Sequence, residues 1–117
     1  MAVFKFADPI SVGRVSSTFN MLFTASWDKM IRCIDLGENK VVKSFIASKE
    51  AIKCMQVTDT HIFVAGCDPI IRAFNIETGE ALMFQGHKGW VYCLEIKDDR
   101  MYSGGDDRSI IIWNLNN

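Results

Sequence analysis

Three residue types of a hydrolytic triad lie close together near the end of the chain: His87, Ser103 and Asp107. An imidazole beside a hydroxyl can take its proton, and a carboxylate behind the imidazole can hold the ring in the tautomer that does so. No Gly-x-Ser-x-Gly elbow surrounds any serine, however, so the serines lack the strained turn that presents a nucleophile. Asp106 and Asp107 are neighbouring carboxylates, weak grounds for a metal by themselves, and are read as one turn residue and one surface acid. Ser103-Gly104-Gly105 has the small residues of a phosphate loop without its Gly-x-x-x-x-Gly-Lys frame. Cys33, Cys54, Cys67 and Cys93 contain no Cys-x-x-Cys pair, and His61 and His87 are the only histidines, which argues against zinc. We therefore expect no catalytic site, metal or cofactor, and read the cysteines as buried free thiols in a reducing compartment.

The elements around these residues repeat. Leu22 to Asp35, Ile62 to Asn75 and Met101 to Asn114 align without gaps, bringing Asp28, Asp68 and Asp107 into register at a period of about 40 residues. Ile34, Phe74 and Trp113 coincide as well. Phe45, Ile52, Cys54, Met55 and Val57 precede Phe84, Val91, Cys93, Leu94 and Ile96 by the same period, and Ile10, Val12 and Val15 form a fainter earlier copy. The copies span about 4–35, 41–75 and 81–114 of the 117 residues, and one repeat region covers 1–117. Within each period, apolar and β-branched runs of about five residues are bounded by turn residues. Glu77-Thr78-Gly79 reads as a hairpin turn with Gly79 at positive φ. No segment has sustained helical periodicity. Each copy is therefore expected to form about four short strands, an antiparallel sheet that cannot bury both faces alone.

Gly86-His87, the Tyr-Ser-Gly-Gly-Asp-Asp stretch from Tyr102 to Asp107, and Trp113-Asn114 resemble the WD40 repeat family of β-propellers. The resemblance runs from about Phe4 to Asn114 and is most specific in the third copy. It implies an all-β fold of about three four-stranded antiparallel blades in an incomplete ring. It also implies a structural tetrad of His87, Ser103, Asp107 and Trp113. A carboxylate, an imidazole, a hydroxyl and an indole can join in one network, in which leaving a buried partner unpaired costs about 1–3 kcal/mol. Asp28 and Asp68 are the corresponding turn residues. The first copy keeps Thr24 but has Ile34. The second has Val64, Phe74 and Ala47-Ser48, so both are expected to rely on apolar packing. On this reading, Asp107→Ala should destabilise its blade far more than Asp68→Ala.

The resemblance places a last strand at about Phe4 to Phe6 and ends the chain before the third copy's fourth strand. Closed propellers have 4–8 blades of about 40 residues. We therefore expect part of a longer protein, or self-association through open blade faces, for example two copies forming a six-bladed ring. The partner-binding surface implied by the family is the top face, here Trp90, Tyr92, Asp106, Lys53 and Trp27. Arg32 and Arg72, at equivalent places on the third strands, read as solvent-facing charges, with contact to phosphate or an acidic partner as the alternative. No third strand ends in the Trp-Asp-x-Arg of ubiquitin-ligase receptors.

Thirteen Lys and Arg against fourteen Asp and Glu give a net charge of −1, which offers no overall basic field for nucleic acid. The first nine residues contain Lys5 and Asp8 and no signal-peptide core, and no stretch approaches the ~20 apolar residues of a membrane span. The expectation is an intracellular, non-enzymatic scaffold for a protein or peptide partner, nucleus and cytoplasm not being distinguished. The alternative is RNA binding by the same repeats within a larger nuclear protein.

Overall fold

The computed structural model describes residues 1–116. Eleven strands form three antiparallel sheets, each in simple sequence order. The first blade contains β1 (Ile10–Ser16), β2 (Met21–Ser26), β3 (Met30–Asp35) and β4 (Lys40–Ile46). The second contains β5 (Ile52–Val57), β6 (His61–Gly66), β7 (Asp68–Asn75) and β8 (Ala81–Gln85). The third has three strands, β9 (Val91–Lys97), β10 (Arg100–Gly105) and β11 (Ile110–Asn114). The expected strand at Phe4 to Phe6 is not formed; Phe6 instead lies over the Arg32 guanidinium, 4.1 Å from ring centroid to Cζ.

Alternation along the strands stacks the blades. Phe23, Ala25, Ile31 and Cys33 pack against Ile52, Met55, Ile62 and Val64 of the second blade. The opposite face of the second blade, Phe63, Ala65, Ile71 and Ala73, packs against Val91, Leu94 and Met101 of the third. Each middle blade face is thus buried by its neighbour, which a lone sheet cannot achieve. Not every thiol is inside: Cys33 is buried, Cys54 and Cys67 are half-buried and Cys93 is exposed, on the face of the third blade opposite the second, which no further sheet covers among the described residues.

The turns follow local chemistry. Asp35, Asn75 and Asn114 end their strands with a side-chain oxygen accepting main-chain N–H groups two residues on, at 2.8–3.0 Å. Lys29 and Arg108 take positive φ after their turn aspartates, whereas Pro69 at the same place cannot, and β7 begins directly at Asp68. Gly79 has φ 76°.

The innermost strands β1, β5 and β9 share one irregularity. Pairing skips a residue between Ile10 and Val12, between Ile52 and Cys54, and between Val91 and Cys93. Ser11, Lys53 and Tyr92 are the extra residues, and a bulge re-aims such a side chain out of the pleat. Beside each bulge, the residue before the turn aspartate donates its main-chain N–H to the strand lead-in: Trp27 to Pro9 (3.1 Å), Cys67 to Ala51 (3.0 Å) and Asp106 to Trp90 (2.9 Å).

This close approach dictates the glycine at 66. A Cβ there would sit 2.2 Å from the Ala51 carbonyl oxygen and 2.8 Å from the Lys53 nitrogen, both main-chain atoms. Gly66→Ala is expected to cost about 2 kcal/mol or more, a fall in melting temperature of roughly 8 °C or more for a domain of this size. Thermal denaturation of the variant checks this; an unchanged transition would contradict the close-approach account.

Candidate functional site

In the third blade, strand β10 holds Ser103 directly across from Ile111, and β11 holds Trp113 across from Met101, so Ser103 and Trp113 share the face toward the second blade. The Trp113 indole N–H donates to Ser103 Oγ at 2.8 Å. Ser103 Oγ is 2.7 Å from His87 Nε2, and His87 Nδ1 lies 3.1–3.2 Å from both carboxylate oxygens of Asp107. An ionised carboxylate can only accept, which assigns the ring proton to Nδ1 and leaves Nε2 to accept from the serine hydroxyl. Gly86 makes room for the indole: a Cβ there would be 2.9 Å from the Trp113 side chain. Asp107 also receives the Lys88 main-chain N–H (2.9 Å) and the Ser109 hydroxyl (2.7 Å). These donors, Lys88 first, then Ser109 and His87, hold its carboxyl well below the usual carboxylate range. Ser109 escaped sequence reasoning, although a hydroxyl two residues after a turn aspartate is a recognisable turn signal.

The residue types of a triad are therefore together, but Ser103 is 2% exposed and its oxygen is bonded to both Trp113 and His87. That geometry locks a turn to two strands and holds the hydroxyl inside, away from solvent.

Arg32 and Arg72 correct the sequence reading: both are buried, not solvent-facing. Arg32 Nη2 meets Asp28 Oδ2 at 2.5 Å, and the Ser26 hydroxyl donates to the other carboxylate oxygen. The Arg32 bond first, then Ser26, pushes the Asp28 carboxyl below its ordinary range. Arg72 Nη1 lies 3.0 Å from Asp68 Oδ2 and 3.2 Å from Ser48 Oγ. The first two blades thus do not rest on apolar packing alone, and the expected contrast between Asp107 and Asp68 fails at its premise, since Asp68 has a buried cation. Thr24 Oγ1 is buried without a partner and does not join Asp28.

Phe6, Ser48 and His87 each stand four residues before an innermost strand. Phe6 covers Arg32, Ser48 bonds Arg72, and His87 itself bonds Asp107, with Ile111 in the arginine's place. Arginine from β3 or β7 and histidine from the lead-in loop are alternative donors to one carboxylate. The repeated Asp-x-x-x-Arg spacing of the first two copies, missing from the third, was the available signal.

The second constellation lies on the surface. Trp27 from the β2–β3 turn, Lys53 on the β5 bulge and Trp90 before β9 come from three blades. Lys53 Nζ is 5.5 Å from the Trp27 ring centroid and 5.9 Å from that of Trp90, within cation–π range of both. Trp27 and Trp90 are 50% and 45% exposed. Asp106 is tied to Trp90 through its main chain and packs its carboxylate on Gly89, where a Cβ would sit 1.9 Å from Oδ1. Tyr92 lines, with Lys53 and Arg14, a cavity of about 220 Å³ between the innermost strands.

Three blade-like sheets of sequential antiparallel strands, each with its innermost strand toward a common side, define a segment of β-propeller. Residues 80–114 match the family model described as WD domain, G-beta repeat (WD40). An uncharacterised WD repeat-containing protein of Schizosaccharomyces pombe is 27% identical over 107 residues, covering 83% of this chain and 29% of its own length. Zinc finger CCCH domain-containing protein 48 of Arabidopsis thaliana is 27% identical over 95 residues, covering 81% and 22%. Among solved structures, the WD40 β-propeller domain of Doa1 superposes with a TM-score of 0.82 at 29% identity, covering 92% of this chain and 38% of that one. U3-55K gives 0.82 at 26%, covering 92% and 34%. The chain spans a third or less of the length of the curated relatives it matches. Its sheets are WD40-type propeller blades, a fold typical of protein-interaction scaffolds and generally non-catalytic. No helix among the described residues is long and apolar enough to cross a membrane.

Asp107 and Asp28 are both held below their ordinary range in the fold, so their contribution to stability is complete above the unfolded-state value of 3.8 and is lost as pH falls through the lower folded values. Melting temperature should therefore fall steeply on acidification below about pH 4, and Asp107→Asn should flatten that dependence relative to its own value at pH 6. Superimposable pH dependences of wild type and variant would contradict the assignment.

Proposed function

We infer that this chain is a non-enzymatic interaction scaffold whose Trp27–Lys53–Trp90 surface, with Tyr92 and Asp106 beside it, grips a protein or peptide segment. The observation that carries the reading is Lys53 Nζ lying between two exposed indoles contributed by different blades. Exposed tryptophans on a rigid frame supply large contact area at little cost in conformational entropy, and such residues dominate binding energy at interfaces. The ammonium and the Asp106 carboxylate give the apolar patch a direction. The tetrad residues His87, Ser103, Asp107 and Trp113 serve this function by fixing the turn that carries Asp106, and the aspartates at 28 and 68 fix the turns of their own blades.

RNA binding by the same face is the competing reading. The relevant surface offers Lys53, with Arg14 in the same cavity, against Glu95 and the nearby Asp106, and the net charge of −1 adds no steering field. Panning the purified chain against a displayed random-peptide library, followed by titration of the selected peptides, tests both. Selected peptides should lose at least tenfold in affinity, about 1.4 kcal/mol, with Trp27→Ala and with Trp90→Ala, and should change little between low and high salt. Retention of RNA with a steep salt slope, or peptide binding indifferent to both tryptophans, would overturn the proposal.

A further inference from the structure

The gaps between successive blades are built alike but differ in charge. A cavity of about 320 Å³ lies between the first and second blades, and one of about 400 Å³ between the second and third. The repeat puts equivalent residues in both linings: Phe23 and Phe63, Phe45 and Phe84, Ile76 and Leu115. A fourth equivalent pair breaks the likeness, Lys43 in the first gap and Leu82 in the second. The second gap also carries Asp59, Asp98 and Asp99. Among the described residues no carboxylate lines the first gap, and Lys43 is its one charged group.

This cation is free to be used. Lys43 is exposed and makes no salt bridge among the described residues. Two observations place its ammonium at the cavity. Nζ lies over the Phe45 ring, 5.7 Å from the centroid, and Phe45 is itself a wall of the cavity, edge-on to Phe74 at 5.2 Å. Lys43 also stands directly across from Cys33, another lining residue. Burial pushes the Cys33 thiol above its ordinary range, and the Lys43 charge opposes that rise, as a near neighbour must. Behind the ammonium the walls are apolar, formed by Phe23, Ile62, Phe74 and Ile76. The volume is just above the ~300 Å³ lower end of small-molecule sites, which set a few polar groups among mostly apolar walls.

We propose that the gap between the first and second blades binds a small amphipathic carboxylate. Its carboxylate accepts from Lys43 Nζ at the mouth, and its hydrocarbon enters between Phe23, Phe45, Ile62 and Phe74. Burial of the hydrocarbon supplies the affinity, and the charge-assisted bond to the ammonium supplies the selectivity. Charge also selects the gap. The aspartates of the second gap repel the same ligand, and Leu82 offers it no donor. Trp27, Lys53 and Trp90 do not line this cavity, so the site is separate from the aromatic surface and does not depend on it.

The test is a chemical-shift titration of the full chain with octanoate. It is followed at the Ile62 and Ile76 methyls of the first gap and the Leu115 methyls of the second. Saturable shifts are expected at the two isoleucines, with Leu115 unmoved. Octanamide keeps the length and loses the charge, and should bind about tenfold more weakly. Octylammonium, of opposite charge, should give no saturable shift at the isoleucines. Lys43→Met, a change at an exposed position, should bind octanoate and octanamide alike, and Lys43→Arg should restore the preference for the acid. Acetyl-Gly-Leu with a free carboxylate distinguishes the sources: tighter binding than octanoate assigns the cavity to a partner's chain end, weaker binding to a free acid. Absence of saturable shifts at Ile62 and Ile76, equal shifts at Leu115, equal affinity of the wild type for acid and amide, or an undiminished preference in Lys43→Met would overturn the proposal.

Discussion

A carboxylate set into the tight turn between the two central strands of every blade is the constraint around which this molecule is arranged. Asp28, Asp68 and Asp107 occupy that place, and none is freely solvated: their side chains are 17%, 15% and 14% exposed. An ion so placed needs directed donors, because removing it from water without them is strongly unfavourable. The chain meets the demand in two ways. Where the third strand carries an arginine, the guanidinium reaches back four residues to the turn. Where that position is isoleucine, an imidazole enters from the loop before the innermost strand, oriented by a serine and an indole. Each solution holds the same turn in place, which is why sequences so different at these positions give sheets of the same strand order.

The turns matter because of what they hold. The residue before each aspartate bonds the strand lead-in of the same blade, and the innermost strand then bulges by one residue. In the first blade the bulged residue is Ser11, whose hydroxyl spans to the Ile52 carbonyl at 2.6 Å and stitches two blades together. In the second and third it is Lys53 and Tyr92, turned outward. The aromatic surface is thus a by-product of a structural device: the fixed turns supply Trp27 and Asp106, and the bulges supply the Lys53 cation and the Tyr92 phenol.

Much of this was legible in the residues. The period of about 40, the strand runs and the turn aspartates follow from self-comparison, since side-chain alternation and turn chemistry are local properties. His87, Ser103, Asp107 and Trp113 could be grouped because they recur as a family pattern. The arginines were misread because exposure is a property of the stack. Arg32 and Arg72 look like charges on a strand until the facing blade or the Phe6 ring covers them. The bulges left no composition signal, as Ser, Lys and Tyr share nothing except position. Phe6 was taken for strand because an apolar alternation reads the same whether it pairs with a neighbour or lies across a guanidinium.

A double-mutant cycle on Asp68 and Arg72 tests the central claim most directly, with unfolding free energies measured in urea for Asp68→Ala, Arg72→Met and the pair. If the turn carboxylate depends on one buried donor, Asp68→Ala alone should cost about 3 kcal/mol by leaving the guanidinium uncompensated, and the double variant should cost much less than the sum of the singles. Additive effects, agreeing within about 0.5 kcal/mol, would contradict the account and return the second blade to apolar packing alone.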